Sequence, residues 1–311
     1  VTETDSNLAP TFVSSLPTTG LHRTENELAD KDANTLQIMG GNINYKGNGF
    51  SAGLTAVNYQ LATTLQPSKR LYQKFNFNGN QLSNFSADFN YLYRDLNIYG
   101  EVAASDNGAF AQMFGVQTNP SDGFFATMAF RNLDPQYQAI FNAPFAESGS
   151  YGERGYYLGI NWQLNKLMLL KSYVDLYEFR WLRYNANFLT EGQDYLAQLE
   201  FFFNRRFTAY ALFKHERQML NASEPVNNLP TEAFQTRENL RLHFNYQINY
   251  NLSLASRVEY SFYDREGENE TGSVLFQDIK YQFDKIPLKL TSRFALINTS
   301  SFNTRIYAYE N

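Results

Sequence analysis

The sequence predicts an all-β protein, an antiparallel transmembrane β-barrel of the outer-membrane type with about 14 strands visible in the chain. Three observations predict this fold. Apolar and polar residues alternate with a period of two, tight turns alternate with long polar connections, and aromatic residues are abundant while charged ones are scarce. The 311 residues include 27 Phe and 22 Tyr, and only 18% are charged. This composition favours strands over helices.

The stretch NFSADFNYLYRDLNIYGEVAAS, residues 84–105, shows the alternation most clearly. In its first half every second residue is apolar or aromatic, namely Phe85, Ala87, Phe89, Tyr91 and Tyr93. The residues between them are Asn84, Ser86, Asp88 and Asn90. Because the pattern resumes after Arg94 and Asp95, the stretch predicts a hairpin with one apolar and one polar face.

The same alternation continues from about residue 35 to about residue 298 and predicts strands near the length of a tilted membrane crossing. The first two run near Leu36–Tyr45 and Phe50–Tyr59, and the strand over Ala109–Thr118 alternates least clearly. The later apolar phases occupy 124–130, 156–164, 168–176, 195–203, 207–213, 240–248, 252–262, 275–283 and 288–296. Residues 1–34 are expected to be an irregular segment on the extracellular side, and residues 299–311 to begin an extracellular loop.

The connections fall into two classes that alternate along the chain. The short ones are YKGNG, RD, NPSDG, NK, NRR, NYN and DKIP, which are rich in residues that form turns easily. The long, polar ones are 60–81, 133–154, 178–192, 218–236 and 264–272, with the brief DNG at 106–108 as an exception at the same end. Short periplasmic turns and long extracellular loops are typical of outer-membrane barrels.

Alternation alone does not distinguish an apolar face that meets lipid from one that fills a soluble core, so a soluble sandwich or solenoid is the alternative. Strands of ten or more residues and the regular hairpin rhythm favour lipid. The placement of aromatic rings beside the tight turns favours it too, because such rings would form a periplasmic aromatic girdle. The predicted girdle residues are Tyr93, Trp162, Phe203, Phe207, Tyr246 and Phe283.

The polar phase is expected to face a lumen that is either filled with water or plugged. The residues predicted to face it are Asp88, Glu101, Arg131, Lys171, Asp175, Glu200, Arg241, His243, Arg257 and Glu259. Acidic and basic side chains nearly balance in this phase, so an open lumen should discriminate little between small cations and anions.

Charge and composition exclude several other classes. A net charge of −5 with a pI near 5.4 disfavours a nucleic-acid partner, and the absence of cysteine excludes disulfides and thiolate chemistry. The sequence contains no run of about 18 apolar residues, which a membrane-spanning helix would need. Its first ten residues, VTETDSNLAP, lack the features of a signal peptide.

No catalytic, cofactor or metal site is predicted. His243 could act as a base near Asp194 or Glu200, but a solvated lumen residue is the stronger interpretation because no nucleophile accompanies it. The acidic stretch DREGENETG at 264–272 lacks the ordered spacing of a calcium loop, which favours a mobile surface loop.

Several phrases of the chain resemble an outer-membrane β-barrel family of Bacteroidota whose longer members carry an N-terminal helix-hairpin-helix segment. The phrases are LHRTENELADK, QPSKRLYQKFNFNGNQLSNFSADF, NLDPQYQAIFNAPFAESGSYGERGYYLGI, RENLRLHFNYQINYNLSLASRVEY and FALINTSSFNTRIYAYEN. The resemblance implies a membrane barrel and transfers no functional residue. The helix-hairpin-helix segment has no counterpart here, and with both predicted ends outside we expect the chain to be an internal segment of a longer barrel or one product of a cut in its loops.

The functional expectation follows from the size and polarity of the predicted lumen, since about eight strands already give a filled interior and larger counts leave space. We expect a non-enzymatic outer-membrane barrel that supports passage of solutes or polypeptide, alone or with a plug. The alternative is a structural subunit that anchors a multi-protein envelope complex through loops such as 133–154. The expected partners are outer-membrane lipid and, for the alternative, other envelope proteins.

Overall fold

A computed structural model describes residues 12–16, 20–147, 149, 152–224, 227 and 229–307, and its architecture is nearly all-β. Fourteen long strands follow a short N-terminal one. Their bounds are β1 Phe12–Val13, β2 Leu36–Gly47, β3 Phe50–Leu65, β4 Gly79–Tyr93, β5 Leu96–Ser105, β6 Phe110–Ser121, β7 Phe124–Leu133, β8 Glu153–Asn165, β9 Met168–Phe179, β10 Thr190–Phe202, β11 Phe207–Asn221, β12 Glu232–Gln247, β13 Leu252–Arg265, β14 Glu268–Gln282 and β15 Lys289–Thr299.

The strands form one sheet in which neighbours in the chain are neighbours in space. From β3 to β15 the order in the sheet is the order in the sequence, and β2 pairs antiparallel with β3. The short β1 adds the one parallel pairing among the described strands, with Phe12 opposite Thr64. The prediction of an antiparallel, transmembrane-type all-β sheet with about fourteen strands is confirmed. Within the described chain, the strands with a single neighbour are β1, β2 and β15.

All seven predicted tight turns are present at one end of the strands. They lie at 48–49, 94–95, 122–123, 166–167, 203–206, 248–251 and 283–288. The connections at the other end are 66–78, 106–109, 134–152, 180–189, 222–231 and 266–267.

All five long connections are shorter than the sequence predicts. Strand occupies both ends of 218–236, and 264–272 is a hairpin that turns over Glu266 and Gly267. Both turn residues have positive φ, at 55° and 84°, which is the geometry of a two-residue turn that matches the twist of paired strands. The acidic stretch therefore continues the sheet.

The structure resolves which face of the sheet is buried. Side chains of the apolar phase are exposed, as with Leu54 at 62% and Leu242 at 47%. Side chains of the polar phase are covered, and Glu259 and Asp278 are each only 2% exposed. A soluble sandwich would show the opposite arrangement. The sheet is therefore of the outer-membrane type, with its apolar phase turned to lipid.

The segment before β2, which the sequence predicts to be irregular, contains one short helix in its described part. Helix α1, Glu25–Ala29, begins with a capping box in which Thr24 Oγ1 accepts from the backbone N–H of Glu27 at 3.2 Å. Residues 1–11 and 17–19 lie outside the described residues. Within the part that is described, no helix has the length and apolar character to cross a membrane.

The chain divides into two compact units. Of the described residues, unit 1 contains those up to Val116 together with those of Ala129–Gly155 and Tyr177–Leu189. Unit 2 contains Gln117–Met128, Tyr156–Leu176 and the chain from Thr190 onward.

Candidate functional site: the polar face of the sheet

The candidate site is the polar face, which we define as the alternation phase that contains the ten residues predicted to face the lumen. Of these, Arg131, Asp175 and Glu259 are buried, and Glu101 is exposed. The other six are half-buried: Asp88, Lys171, Glu200, Arg241, His243 and Arg257. Strand pairing sets three pairs from the ten directly opposite each other, namely Asp88 with Glu101, Arg241 with Glu259, and His243 with Arg257.

In unit 2 the polar face carries a row of ion pairs that we call the ion-pair wall. It consists of Lys171 with Glu200 at 2.6 Å, Lys214 with Asp194 at 3.0 Å, Arg241 with Glu259 at 2.6 Å, and Arg293 with Asp278 at 2.5 Å. The last two are bidentate, with second contacts of 2.9 Å and 2.7 Å. Each pair joins two neighbouring strands, so the nearly balanced charges counted in the sequence neutralise one another locally.

An aromatic residue interrupts this wall. Phe276 is 2% exposed, and the guanidinium carbons of Arg257 and Arg293 lie 4.8 Å and 4.4 Å from its ring centroid. Arg293 also pairs with Asp278, whereas Arg257 has no carboxylate in ion-pair contact among the described residues, and stacking against the ring stabilises its guanidinium instead. The sequence analysis did not single out Phe276, although its alternation phase with Asp278 is a signal that it shares the polar face.

In unit 1 the same face is covered by two connections, 66–78 and 134–147, and we call it the loop-covered face. The inward residues Tyr59, Leu61 and Leu82 form a buried apolar cluster with Phe77 of the first connection. Ile140 of the second connection packs against this cluster. The burial of apolar side chains thus holds both connections on the polar face.

Hydrogen bonds attach the second connection at two points. Asn84 Nδ2 donates to the carbonyl of Gln138 at 2.7 Å, and Asn107 Nδ2 donates to the carbonyl of Gln136 at 2.7 Å. Gln138 Nε2 in turn donates to the carbonyl of Phe75 at 2.9 Å, which joins the two connections. Because backbone carbonyls of a buried loop need donors, these side chains fix the loop's path.

A buried ion pair lies where the second connection returns to the sheet. Arg131 Nε donates to Glu153 Oε1 at 2.5 Å, and the two side chains are 2% and 1% exposed. The backbone N–H of Glu147 donates to both oxygens of Glu153, at 3.1 Å and 3.0 Å. Gly155 leaves room for the guanidinium, since a Cβ there would collide with it. Glu153 was missed because it falls inside the predicted loop 133–154, although its phase with Gly155 continues the polar face of β8.

On the loop-covered face lies a cavity of about 300 Å³ that opens to solvent. Its floor is formed by inward residues of the sheet: Glu101, Ala103, Ala111, Met113, Arg131 and Leu133. Its roof is formed by the second connection, including Tyr137, Phe141 and Phe145. The cavity therefore combines a few charged groups with aromatic walls, as ligand sites do.

The six predicted girdle residues all lie at the tight-turn end. Tyr93, Trp162, Phe203 and Tyr246 are exposed, at 50%, 46%, 54% and 46%. Phe207 and Phe283 are half-buried, and the ring of Phe207 lies 5.1 Å from that of Phe203 and 5.9 Å from that of Tyr246. Their role at the lipid interface stays a prediction.

Among the described residues, no carboxylate is in hydrogen-bond contact with His243. Its Nε2 lies 3.2 Å from Asn245 Oδ1, and its ring packs on Tyr210 at 5.1 Å. The carboxylate proposed beside a histidine occurs instead at His215, whose Nδ1 lies 3.0 Å from Glu238 Oε1. Across the described residues, no group of three or more His, Asp or Glu side chains is arranged to hold a metal ion.

No family model matches the chain, and a search of curated proteins finds no relative. Among solved structures it is similar to the outer membrane channel DcaP of Acinetobacter baumannii, with 10% identity, a TM-score of 0.45, and coverage of 88% of this chain and 93% of that one. It is similar to OccK10 (OpdN) of Pseudomonas aeruginosa, with 10% identity, a TM-score of 0.43, and coverage of 87% and 93%. It is similar to OmpT, an outer membrane protein of Vibrio cholerae, with 10% identity, a TM-score of 0.40, and coverage of 86% and 90%. Likenesses of this size do not identify a function.

Proposed function

We propose that this chain is an outer-membrane barrel protein through which small polar solutes pass, and that it is not an enzyme. The carrying observation is the inverted burial of the sheet, with charged pairs on the covered face and bare apolar side chains on the other. Hydrocarbon accepts only strands whose backbone polar groups are paired, and the antiparallel pairing of neighbouring strands pairs them. The ion-pair wall lies on the opposite face and pairs its charged side chains there. Because the apolar face contacts lipid, the polar face is the one that contacts water and solutes.

The proposal includes a partial obstruction. The connection 134–147 lies on the polar face of unit 1, held by Asn84, Asn107 and the buried apolar cluster. A loop so attached narrows whatever space that face borders. The pairing of opposite charges in unit 2 means that the wall presents no field of a single sign, so selectivity by charge is expected to be weak.

Reconstitution in planar bilayers tests the proposal. The purified protein should show either weakly selective conductance or silence that ends when residues 136–146 are replaced by a short Gly/Ser linker. A matched control shortens 222–231, a connection of unit 2. Continued silence after both changes, or a strong preference of the wild type for one ion sign, would reject passage and favour the alternative of a structural subunit that anchors an envelope complex.

The orientation is part of the proposal: tight turns in the periplasm and longer connections outside. The cysteine-free chain allows single cysteines to report it. Leu229→Cys, at a position 68% exposed, should react with an impermeant thiol reagent on whole cells, whereas Asp95→Cys and Lys166→Cys should not. Reversed labelling would invert the orientation.

Membership of the Bacteroidota family named above is also a proposal, and it rests on the quoted phrases. It is tested by the coding sequences of longer relatives of this chain, which should include a helix-hairpin-helix segment.

A further inference from the structure

The cavity under the connection 134–147 has a lining with an uneven charge. Two charged side chains border it, Glu101 and Arg131. The charge of Arg131 is already neutralised by Glu153 at 2.5 Å. Glu101 is exposed and has no ion-pair partner among the described residues, and its neighbour directly across the strand pair is another acid, Asp88. The field in the cavity is therefore negative.

Like charges directly opposite each other on one face of a sheet are unfavourable. Asp88 leans over Gly53, whose missing side chain leaves it space, and no cation is in ion-pair contact with it in the described part of the chain. A cation placed beside Glu101 would relieve this repulsion.

The rest of the lining is suited to an apolar body. Tyr137, Phe141 and Phe145 contribute rings, and Met113 contributes a polarisable side chain. Tyr137 is 7% exposed and is therefore fixed in place, while Phe141 and Phe145 are 51% and 43% exposed and line the mouth. Aromatic faces attract ammonium groups as well as apolar surface.

We infer that this cavity binds small organic cations, with the ammonium group at Glu101 and the apolar body between Met113 and the aromatic roof. An anion would be repelled by the carboxylate of Glu101, and Arg131 is already paired with Glu153. A purely apolar ligand would strip water from Glu101 without replacing it, which costs free energy. The inference deepens the proposed function, because it names the solute class held on the loop-covered face.

Binding to the purified protein in detergent micelles, measured by calorimetry, tests the inference without any need for conductance. The probes share one ring and differ in charge: phenethylammonium, 2-phenylethanol and phenylacetate at pH 7. Phenethylammonium should bind at least tenfold more tightly than either of the others. Equal binding of the three probes, or no binding of phenethylammonium, would overturn the inference.

Two variants assign the contacts. Glu101→Gln should weaken phenethylammonium binding at least tenfold, and Phe141→Leu about threefold, whereas Glu191→Gln, an exposed acid of β10 in unit 2, should leave it unchanged. Because Glu101 is exposed, its replacement should leave far-UV circular dichroism and heat-modifiable migration as in the wild type. Unaltered binding by a folded Glu101→Gln variant would overturn the assignment. Binding by the wild type, with no conductance before or after residues 136–146 are replaced, would reject passage alone, and conductance without binding would reject this inference alone.

Discussion

The polar face is built differently in the two units, although the sequence alternates in the same way in both. In unit 1 it is covered by loops that bury apolar side chains and one ion pair, Arg131 with Glu153. In unit 2 the ion-pair wall satisfies charged groups between adjacent strands, and its lysines and arginines stay partly exposed. The difference teaches that alternation decides which face a residue occupies, whereas distant loops decide what that face becomes.

The largest effect is expected where unit 1 buries charge. Arg131→Met leaves the carboxylate of Glu153 buried without its cation, so it should lower the free energy of unfolding by about 3–5 kcal/mol. Lys171→Met is the matched change in unit 2, and because Lys171 is 42% exposed it should cost at most about 1 kcal/mol. Urea unfolding in lipid vesicles measures both. Similar costs for the two would show that the polar faces are energetically alike.

The outward faces of the two units should respond equally, in contrast to the inward ones. Leu54→Arg in unit 1 and Leu242→Arg in unit 2 each place a charge on the apolar phase near mid-strand, at an expected cost of about 2–4 kcal/mol. Asn245→Arg, on the polar phase, should cost much less. If Asn245→Arg proved as costly in the same unfolding experiment, the assignment of the two phases would be wrong.

A smaller effect is expected from a single methyl group. Gly155→Ala places a Cβ against the guanidinium of Arg131, which packing holds in position, and should cost about 1–3 kcal/mol. Gly41→Ala, with no atom within 4 Å of the added Cβ, should be close to neutral. The temperature at which the electrophoretic migration of each variant changes in detergent distinguishes the two. A neutral Gly155→Ala would mean that the ion pair moves freely.

The smallest effect is expected at the hairpin turn of unit 2 and depends on pH. Glu266 Oε2 accepts from the backbone N–H of Ser223 at 2.8 Å, and hydrogen bonding to Ser223 lowers the pKa of Glu266 below its usual value. A lowered folded-state pKa stabilises the fold above the unfolded pKa, and this contribution is lost as pH falls through the folded pKa. The stability difference between wild type and Glu266→Gln should be measurable at pH 7 and should shrink as pH falls through the folded-state pKa of Glu266. A difference that does not shrink on acidification would contradict this assignment.

Much of the strand arrangement could be predicted because it depends on local signals. The hairpin around Arg94 and Asp95 follows from alternation and two turn residues, and its register sets Asp88 opposite Glu101 as the phase requires. The hairpin over Glu266 and Gly267 could not be predicted in this way. Its strands continue beyond the length of about 9–11 residues that a membrane crossing needs, so both faces there are polar and the alternation disappears.

The candidate site was predicted only in part, and the reason is again distance along the chain. Ion pairs such as Arg241 with Glu259 join adjacent strands, so the alternation phases of the two residues predict that they lie on the same face. Glu153 is held by Arg131 on an adjoining strand and by the backbone of Glu147, and the cavity beside them exists because a connection folds back over β5–β7. Nothing in the periodicity of a loop indicates where it will pack.

The order of the sheet has a consequence for the speed and sequence of assembly. From β3 to β15 each strand pairs with the strand that precedes it in the chain, so each pairing closes only the single connection between those two strands. Low sequence separation between contacts favours fast folding, because little chain entropy is lost before each contact forms. The parallel pairing of Phe12 with Thr64 spans the longest segment of any described strand pair and depends on β3 being in place. Amide protection during refolding should therefore appear in the hairpins first and at β1 last.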